Sequence, residues 1–126
     1  MLEHVDSVKP FIVAGMPMYN EEETIGTVVI TALRHVDAVI CIDDGSSDSS
    51  ARIAEACGAT VIRHRTNRGY GGALKTLFIK AKELNVDAMV VLDSDGQHRS
   101  EDIPKLLKPI LSGKADFAIG SRFIEG

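Results

Sequence analysis

Short apolar runs of strand character alternate with helical periodicity along nearly the whole chain, and that alternation constrains its fold most. The run Phe11 to Met16 reads as a strand closed by Pro17, after which Ile25, Val28, Val29, Ala32, Leu33 and Val36 recur at helical spacing. Asn20 is placed to cap that helix, with Glu23 as the returning acid of a capping box. Ala38 to Ile42 predicts a second strand, and a short helix follows from about Ser49 to Cys57 with Gly58 as its stop. Thr60 to Arg63 predicts a third strand. Ala73, Leu74, Leu77, Phe78, Ala81 and Leu84 then line one face of a longer helix. Ala88 to Leu92 is the next strand, and Ile103, Leu106, Leu107, Ile110 and Leu111 mark a helix in which Pro109 predicts a kink or early end. Ala115 to Gly120 gives a fifth strand. Strands separated by helices pair in parallel through right-handed crossovers, so the expectation is an α/β fold: a mostly parallel, doubly wound sheet with helices on both faces.

At 126 residues the chain makes one domain, able to bury roughly two thirds of its unfolded surface. No helix follows its last strand, so it reads as the front part of a longer polypeptide, an apparently truncated domain.

One strand ends in an unusual way. After Ala88 to Leu92 come Asp93, Ser94 and Asp95, then Gly96. Side chains alternate along an extended backbone, which puts Asp93 and Asp95 on one side and Ser94 on the other. Two carboxylates that close repel unless a cation lies between them, and oxygen donors select hard ions such as Mg²⁺ or Mn²⁺. At the carboxyl end of a strand in such a sheet, that ion faces the crevice where ligands bind. The pattern predicts a metal-bridged, phosphorylated ligand.

Other predicted strand ends converge on the same edge. Pro17-Met18-Tyr19-Asn20-Glu21-Glu22-Glu23 has acids where a dinucleotide-binding loop needs glycines. Tyr19 suits a base or ribose and Glu21 can accept hydrogen bonds, whereas Glu22 and Glu23 read as favourable charge at a helix start. Asp48 or Ser47 is a natural cap for the short helix, which leaves Asp43 and Asp44 unexplained by capping. One of these two suits the N–H groups of a base. The glycines of Asn67-Arg68-Gly69-Tyr70-Gly71-Gly72 read as close backbone approach to a ligand or, preferably, as close helix–sheet packing, and Arg122 after the fifth strand is a candidate fork for phosphate. His4, His35 and His64 read as solvated or edge residues, and His98 as a residue near the metal without ligating it.

The bulk chemistry excludes several classes. A net charge of -4 with no basic stripe argues against nucleic acid as a partner. Cys41 and Cys57 lack metal-ligand spacing and predict two buried thiols in a reducing compartment. No apolar stretch approaches the ~20 residues that span a bilayer, and no signal peptide opens the chain, so the expected location is cytoplasmic.

Taken in order, Pro17 to Glu21, Asp43-Asp44-Gly45-Ser46-Ser47-Asp48, Asn67 to Ala73, Asp93-Ser94-Asp95-Gly96-Gln97-His98 and Gly120-Ser121-Arg122-Phe123 resemble the family 2 glycosyltransferases. The branch resembled is that of the dolichyl-phosphate mannose or glucose synthases and polyprenyl-phosphate sugar transferases. The resemblance implies a Rossmann-like GT-A fold, with residues 1–126 as the nucleotide-sugar-binding part of the domain. It also implies a metal-dependent transfer from a GDP-mannose or UDP-glucose type donor to a polyprenyl or dolichyl phosphate. By position, Pro17, Tyr19, Glu21, Ile42 and Asp44 would line the nucleoside pocket. Asp93 and Ser94 would contact the ribose side, Asp95 would hold Mg²⁺ or Mn²⁺ against the diphosphate, and Gln97 and Arg122 fall at further donor positions. Family members continue into acceptor-binding elements, where many carry a catalytic base, and the synthase-like ones into membrane-anchoring segments. The catalytic base is therefore unassigned, the chain alone is expected to bind donor with little transfer, and the longer form is expected at the cytosolic membrane face. Two alternatives compete. Asp93-Ser94-Asp95-Gly96 fits locally the signature of an aspartyl-phosphate phosphohydrolase, which belongs on a first strand. A non-catalytic nucleotide-binding fragment, self-associating through an exposed sheet edge, is the other.

Overall fold

The computed structural model describes residues 9–95, 102–111, 117–119 and 122–124. Its elements run β1 (Ile12–Met18), α1 (Ile25–Ala32), β2 (Ala38–Asp43), α2 (Ser50–Ala56), β3 (Thr60–Arg63), α3 (Gly69–Glu83), β4 (Ala88–Val91), α4 (Asp102–Leu111), β5 (Phe117–Ile119) and β6 (Arg122–Ile124). They form one six-stranded sheet in the order β3-β2-β1-β4-β5-β6. The first five strands in that order pair in parallel, and β6 returns antiparallel to β5.

Strand parity sorts the core into two layers. Ala14, Met16 and Met18 of β1, with Val39 and Cys41 of β2, pack under α1, α2 and α4. Val13, Ile40, Ile42, Met89 and Val91 face the other way and pack against Ala73, Leu77 and Ala81 of α3. Gly15 belongs to this second layer. A Cβ there would sit 2.5 Å from Leu77 Cδ2, so the missing side chain is what lets α3 close on the sheet.

Several boundaries differ from the sequence expectation. Pro17 does not close β1, which continues to Met18 opposite Asp43. Met18 O accepts from Asp44 N toward β2 and Gly15 O from Leu92 N toward β4. Alternation then turns the nitrogen of Pro17 toward β4, whose ladder with β1 ends at Gly15–Val91, so the absent N–H breaks no bond. Helix α1 ends at Ala32 rather than near Val36. His35 N donates to Ala32 O in a tightened turn, and Asp37 pins the chain by accepting from Ile12 N and donating its own N–H to Ile12 O. Helix α4 runs through Pro109 to Leu111 without an early end. The return strand β6 had no sequence signal of its own. Gly58 does stop α2, at φ +109, with Gly58 N and Ala59 N donating to Glu55 O and Ala54 O.

Candidate functional site

Strand order reverses direction between β1 and β4, the switch point at which such sheets bind ligands beyond their carboxyl ends. A cavity of about 360 Å³ lies there, walled by Pro17, Met18, Tyr19, Glu21, Asp44, Tyr70, Ala73, Asp93, Ser94 and Asp95. Residues from three strand ends and one helix start thus share a single crevice.

The loop after β1 is held from its neighbour. Asn20 N donates to Ser46 Oγ at 2.8 Å, Glu21 N to Ser50 Oγ at 2.7 Å, and Glu22 N to Asp48 Oδ2 at 3.2 Å. Asn20 takes the left-handed conformation at φ 51, and its Oδ1 accepts from Ser47 N at 2.9 Å. The expected capping box is therefore not formed: α1 starts at Ile25, and Asn20 serves the β2–α2 loop instead. Glu22 likewise supports the other helix, accepting from Ser49 N at 3.2 Å. The N-cap of α2 is Ser49, not Asp48 or Ser47, and it makes no side-chain cap; Asp48, one residue earlier, takes the amide and hydroxyl of Ser50. Burial opposes its ionisation, but those bonds and the Glu22 amide outweigh it and hold its carboxyl below the usual range.

The two aspartates at the end of β2, Asp43 as its last residue and Asp44 just beyond it, have structural duties that the sequence did not show. Asp43 is fully buried; its Oδ1 accepts from Ser46 N at 3.0 Å, and Arg63 Nε stands 3.0 Å from Oδ2. That approach is an ion pair without hydrogen-bond alignment, since Oδ2 has no hydrogen-bond partner. Asp44 caps α3 across the sheet. Its Oδ1 accepts from Arg68 N at 2.8 Å and from His64 Nδ1 at 2.8 Å, and its Oδ2 from Gly69 N at 2.9 Å. Burial works against the charge, yet these three donors together lower the pKa of Asp44. A carboxylate at a helix start is also favoured by the dipole. His64, expected as a solvated or edge residue, does follow the edge strand β3 but is not solvated: it is 5% exposed, with Nε2 2.7 Å from Thr76 Oγ1.

β4 ends at Val91, and Asp93, Ser94 and Asp95 of the turn after it all line the cavity, so the expected placing of Ser94 on the opposite side is not seen. Asp93 and Asp95 are exposed on the cavity wall while Ser94 is buried. Thr24 Oγ1 donates to Ser94 O at 2.8 Å and lies 3.3 Å from Glu21 Oε2, which ties this turn to the β1–α1 loop. Among the described residues no group of three or more His, Cys, Asp or Glu gathers around one point. Two carboxylates of Asp93 and Asp95 on one wall suit a hard cation that takes its remaining oxygens from water and phosphate.

Pro17, Tyr19, Glu21, Asp44, Asp93, Ser94 and Asp95 are brought together by the fold. Ile42 is not on the wall; its side chain is in the core against α3. Arg122 lies in β6 with only its backbone described, and Gln97 and His98 lie outside the described residues. Met18, Tyr70 and Ala73 line the cavity although sequence reasoning passed over them. The glycine cluster beside Tyr70 was the available signal, and it does not serve helix–sheet packing as expected. Gly69 takes φ +81, a Cβ at Gly69 or Gly71 would meet nothing within 4 Å, and one at Gly72 would strike only Arg68 of its own turn.

Comparison with known proteins agrees with this geometry. A UDP-N-acetylglucosamine–dolichyl-phosphate N-acetylglucosaminyltransferase of Methanococcus voltae is 35% identical over 125 residues, covering 85% of this chain and 50% of that protein. A dolichol-phosphate mannosyltransferase of Pyrococcus furiosus is 34% identical over 119 residues, covering 88% of this chain and 33% of that protein. The chain therefore spans between a third and a half of the length of these two relatives. The crystal structure of glucosyl-3-phosphoglycerate synthase from Mycobacterium tuberculosis with Mn²⁺, UDP-glucose and phosphoglyceric acid superposes with a TM-score of 0.69 at 29% identity, covering 83% of this chain and 40% of that one. The fold is the GT-A type, represented here by part of the domain. The model for glycosyl transferase family 2 matches residues 14–126, a span holding every residue of the cavity wall, and the chain belongs to that family.

Proposed function

We propose that this chain binds a nucleotide-sugar donor of the GDP-mannose or UDP-glucose type together with Mg²⁺ or Mn²⁺. It does so as the donor-side part of a glycosyltransferase that passes the sugar to a polyprenyl or dolichyl phosphate at the cytosolic membrane face. One observation carries the reading: the carboxylates of Asp93 and Asp95 share a cavity with Asp44, Tyr19 and Glu21 at the switch point of the sheet. The relatives named for dolichyl-phosphate sugar transfer and the neighbour crystallised with Mn²⁺ and UDP-glucose support it.

Each wall residue has a chemical task in this reading. A carboxylate offers about four acceptor positions, and Asp44 has filled three, two on Oδ1 and one on Oδ2. Oδ2 keeps the capacity to accept from an N–H of the base. Tyr19 and Tyr70, 49% and 53% exposed, offer flat apolar faces to base or ribose, and Glu21 accepts from ribose hydroxyls. Asp93 and Ser94 address the ribose side; the Ser94 carbonyl is already engaged by Thr24. Asp95, with Asp93, would hold the cation beside the diphosphate, Arg122 is the candidate for the remaining phosphate charge, and Gln97 falls at a further donor position. A bound cation supplies positive charge against the diphosphate as the sugar–phosphate bond breaks. The phosphohydrolase reading is set aside, because the chain belongs to a glycosyltransferase family and its Asp-x-Asp follows β4, not the first strand.

Calorimetric titration of UDP, GDP and their sugar conjugates, with Mn²⁺ and with chelator, tests the proposal. Binding is expected only with the cation, and Asp95→Ala is expected to abolish that dependence. Equal affinity in chelator and in Mn²⁺ would sink the idea.

A further inference from the structure

We infer that His64 is a positioning residue of the cavity, acting through Asp44 on the start of α3; this rests on the donor-binding reading above. The side chain of His64 is buried to 3% exposure at the end of β3, yet it bonds at both ring nitrogens. Nδ1 meets Asp44 Oδ1 on one side and Nε2 meets Thr76 Oγ1 on the other, at 2.8 and 2.7 Å. Asp44 in turn holds the amides of Arg68 and Gly69. His64 therefore grips α3 twice, through the Asp44 carboxylate at its start and through Thr76 in its second turn. Between those grips lie Tyr70 and Ala73, both on the cavity wall.

Donor and acceptor capacities fix the direction of these bonds. An ionised carboxylate only accepts, so Nδ1 carries a proton. Thr76 Oγ1 lies 2.7 Å from Nε2 and 3.2 Å from Gly72 O and has one proton to give. It donates to a bare Nε2, or it accepts from a protonated Nε2 and donates to Gly72 O. Every polar atom has a partner either way, so the brace holds whichever form the ring takes. By filling Oδ1 together with Arg68 N, the ring leaves the spare acceptor position on Oδ2, the oxygen assigned above to the base. The function of the brace is orientation, not chemistry on the donor.

Two variants separate this role from general packing. His64→Leu removes both bonds, whereas His64→Asn keeps an N–H donor near the place of Nδ1. Calorimetry with UDP-glucose and GDP-mannose in Mn²⁺, well below each variant's melting temperature, is expected to show affinity lowered at least tenfold in His64→Leu. His64→Asn should recover to within about threefold of the unaltered chain. Amide hydrogen exchange at Arg68 and Gly69 should rise in His64→Leu and return in His64→Asn, and this readout needs no ligand. If the unaltered chain binds neither nucleotide sugar, the donor-binding reading fails, and the amide exchange still decides the brace. Unchanged exchange at both amides in His64→Leu, or equal affinity in all three proteins, overturns the inference. Should His64→Leu fail to fold, Thr76→Val tests the second grip by the same two measurements, and wild-type behaviour in it also overturns the inference.

Discussion

Three donors converge on the carboxylate of Asp44, and their balance against burial has a consequence for pH. A carboxyl with a lowered pKa in the folded state contributes stability that is fully present above its unfolded value, about 3.9, and is lost as pH falls through the folded value. Asp48 acts in the same direction. Thermal melts from pH 6 to pH 2 should therefore show a falling acid limb that is shallower in Asp44→Asn. The same substitution should weaken nucleotide binding while leaving the chain folded, and an unchanged dissociation constant in a folded variant would refute the assignment of Asp44 to the base. Cys41 illustrates the opposite balance. Burial first, and then the Asp43 carboxylate, push its thiol up to about 12. It should resist thiol reagents at neutral pH until the protein unfolds, with half-buried Cys57 reacting first. Asp44 was visible in the sequence as an acid at a strand end, but its bonds to His64, Arg68 and Gly69 join residues at least 20 apart. No local pattern encodes such a contact.

Helix α3 shows how an element is fixed from outside itself. Its own N-cap residue, Arg68, makes no side-chain cap, and Asp44, just past the end of β2, supplies one. At its far end Asn85 takes φ 54, and Asn85 N and Val86 N donate to Lys82 O and Ala81 O, a left-handed stop without glycine. Leu77 fills the space that Gly15 leaves open. Gly15→Ala should accordingly cost about 1–3 kcal/mol by overpacking, and Leu77→Ala about 2–5 kcal/mol by leaving a cavity. Urea denaturation of both variants checks the pair; losses under 0.5 kcal/mol in both would mean that α3 does not depend on this contact. Helical spacing in the sequence located α1 and α3, because a buried stripe repeats with the turn of the helix. It overran α1 toward Val36, since the pull of Asp37 into β1 leaves no periodic trace.

In the molecule as a whole, β1 and β2 each have partners on both sides, and β1 also carries core on both faces. Amides of β1 should exchange with solvent only by global unfolding, and those on the outer side of the edge strand β3 much faster. Uniform exchange across β1 and β3 would contradict that ranking. The sequence by itself determined the order of elements from β1 to β5, the mostly parallel sheet with helices on both faces, and the acids at the strand ends. Apolar runs, periodicity, and acids at the ends of strands are local signals, and each survives in the one-dimensional record. Only the tertiary structure decided that Tyr70 and Ala73 join Tyr19 and Asp44 at one cavity, and that serines of one loop hold the other. It alone made His64 a buried brace. Those outcomes depend on which strands become neighbours at the β1–β4 switch point, and the crossover connections that set it bring together residues far apart in the chain.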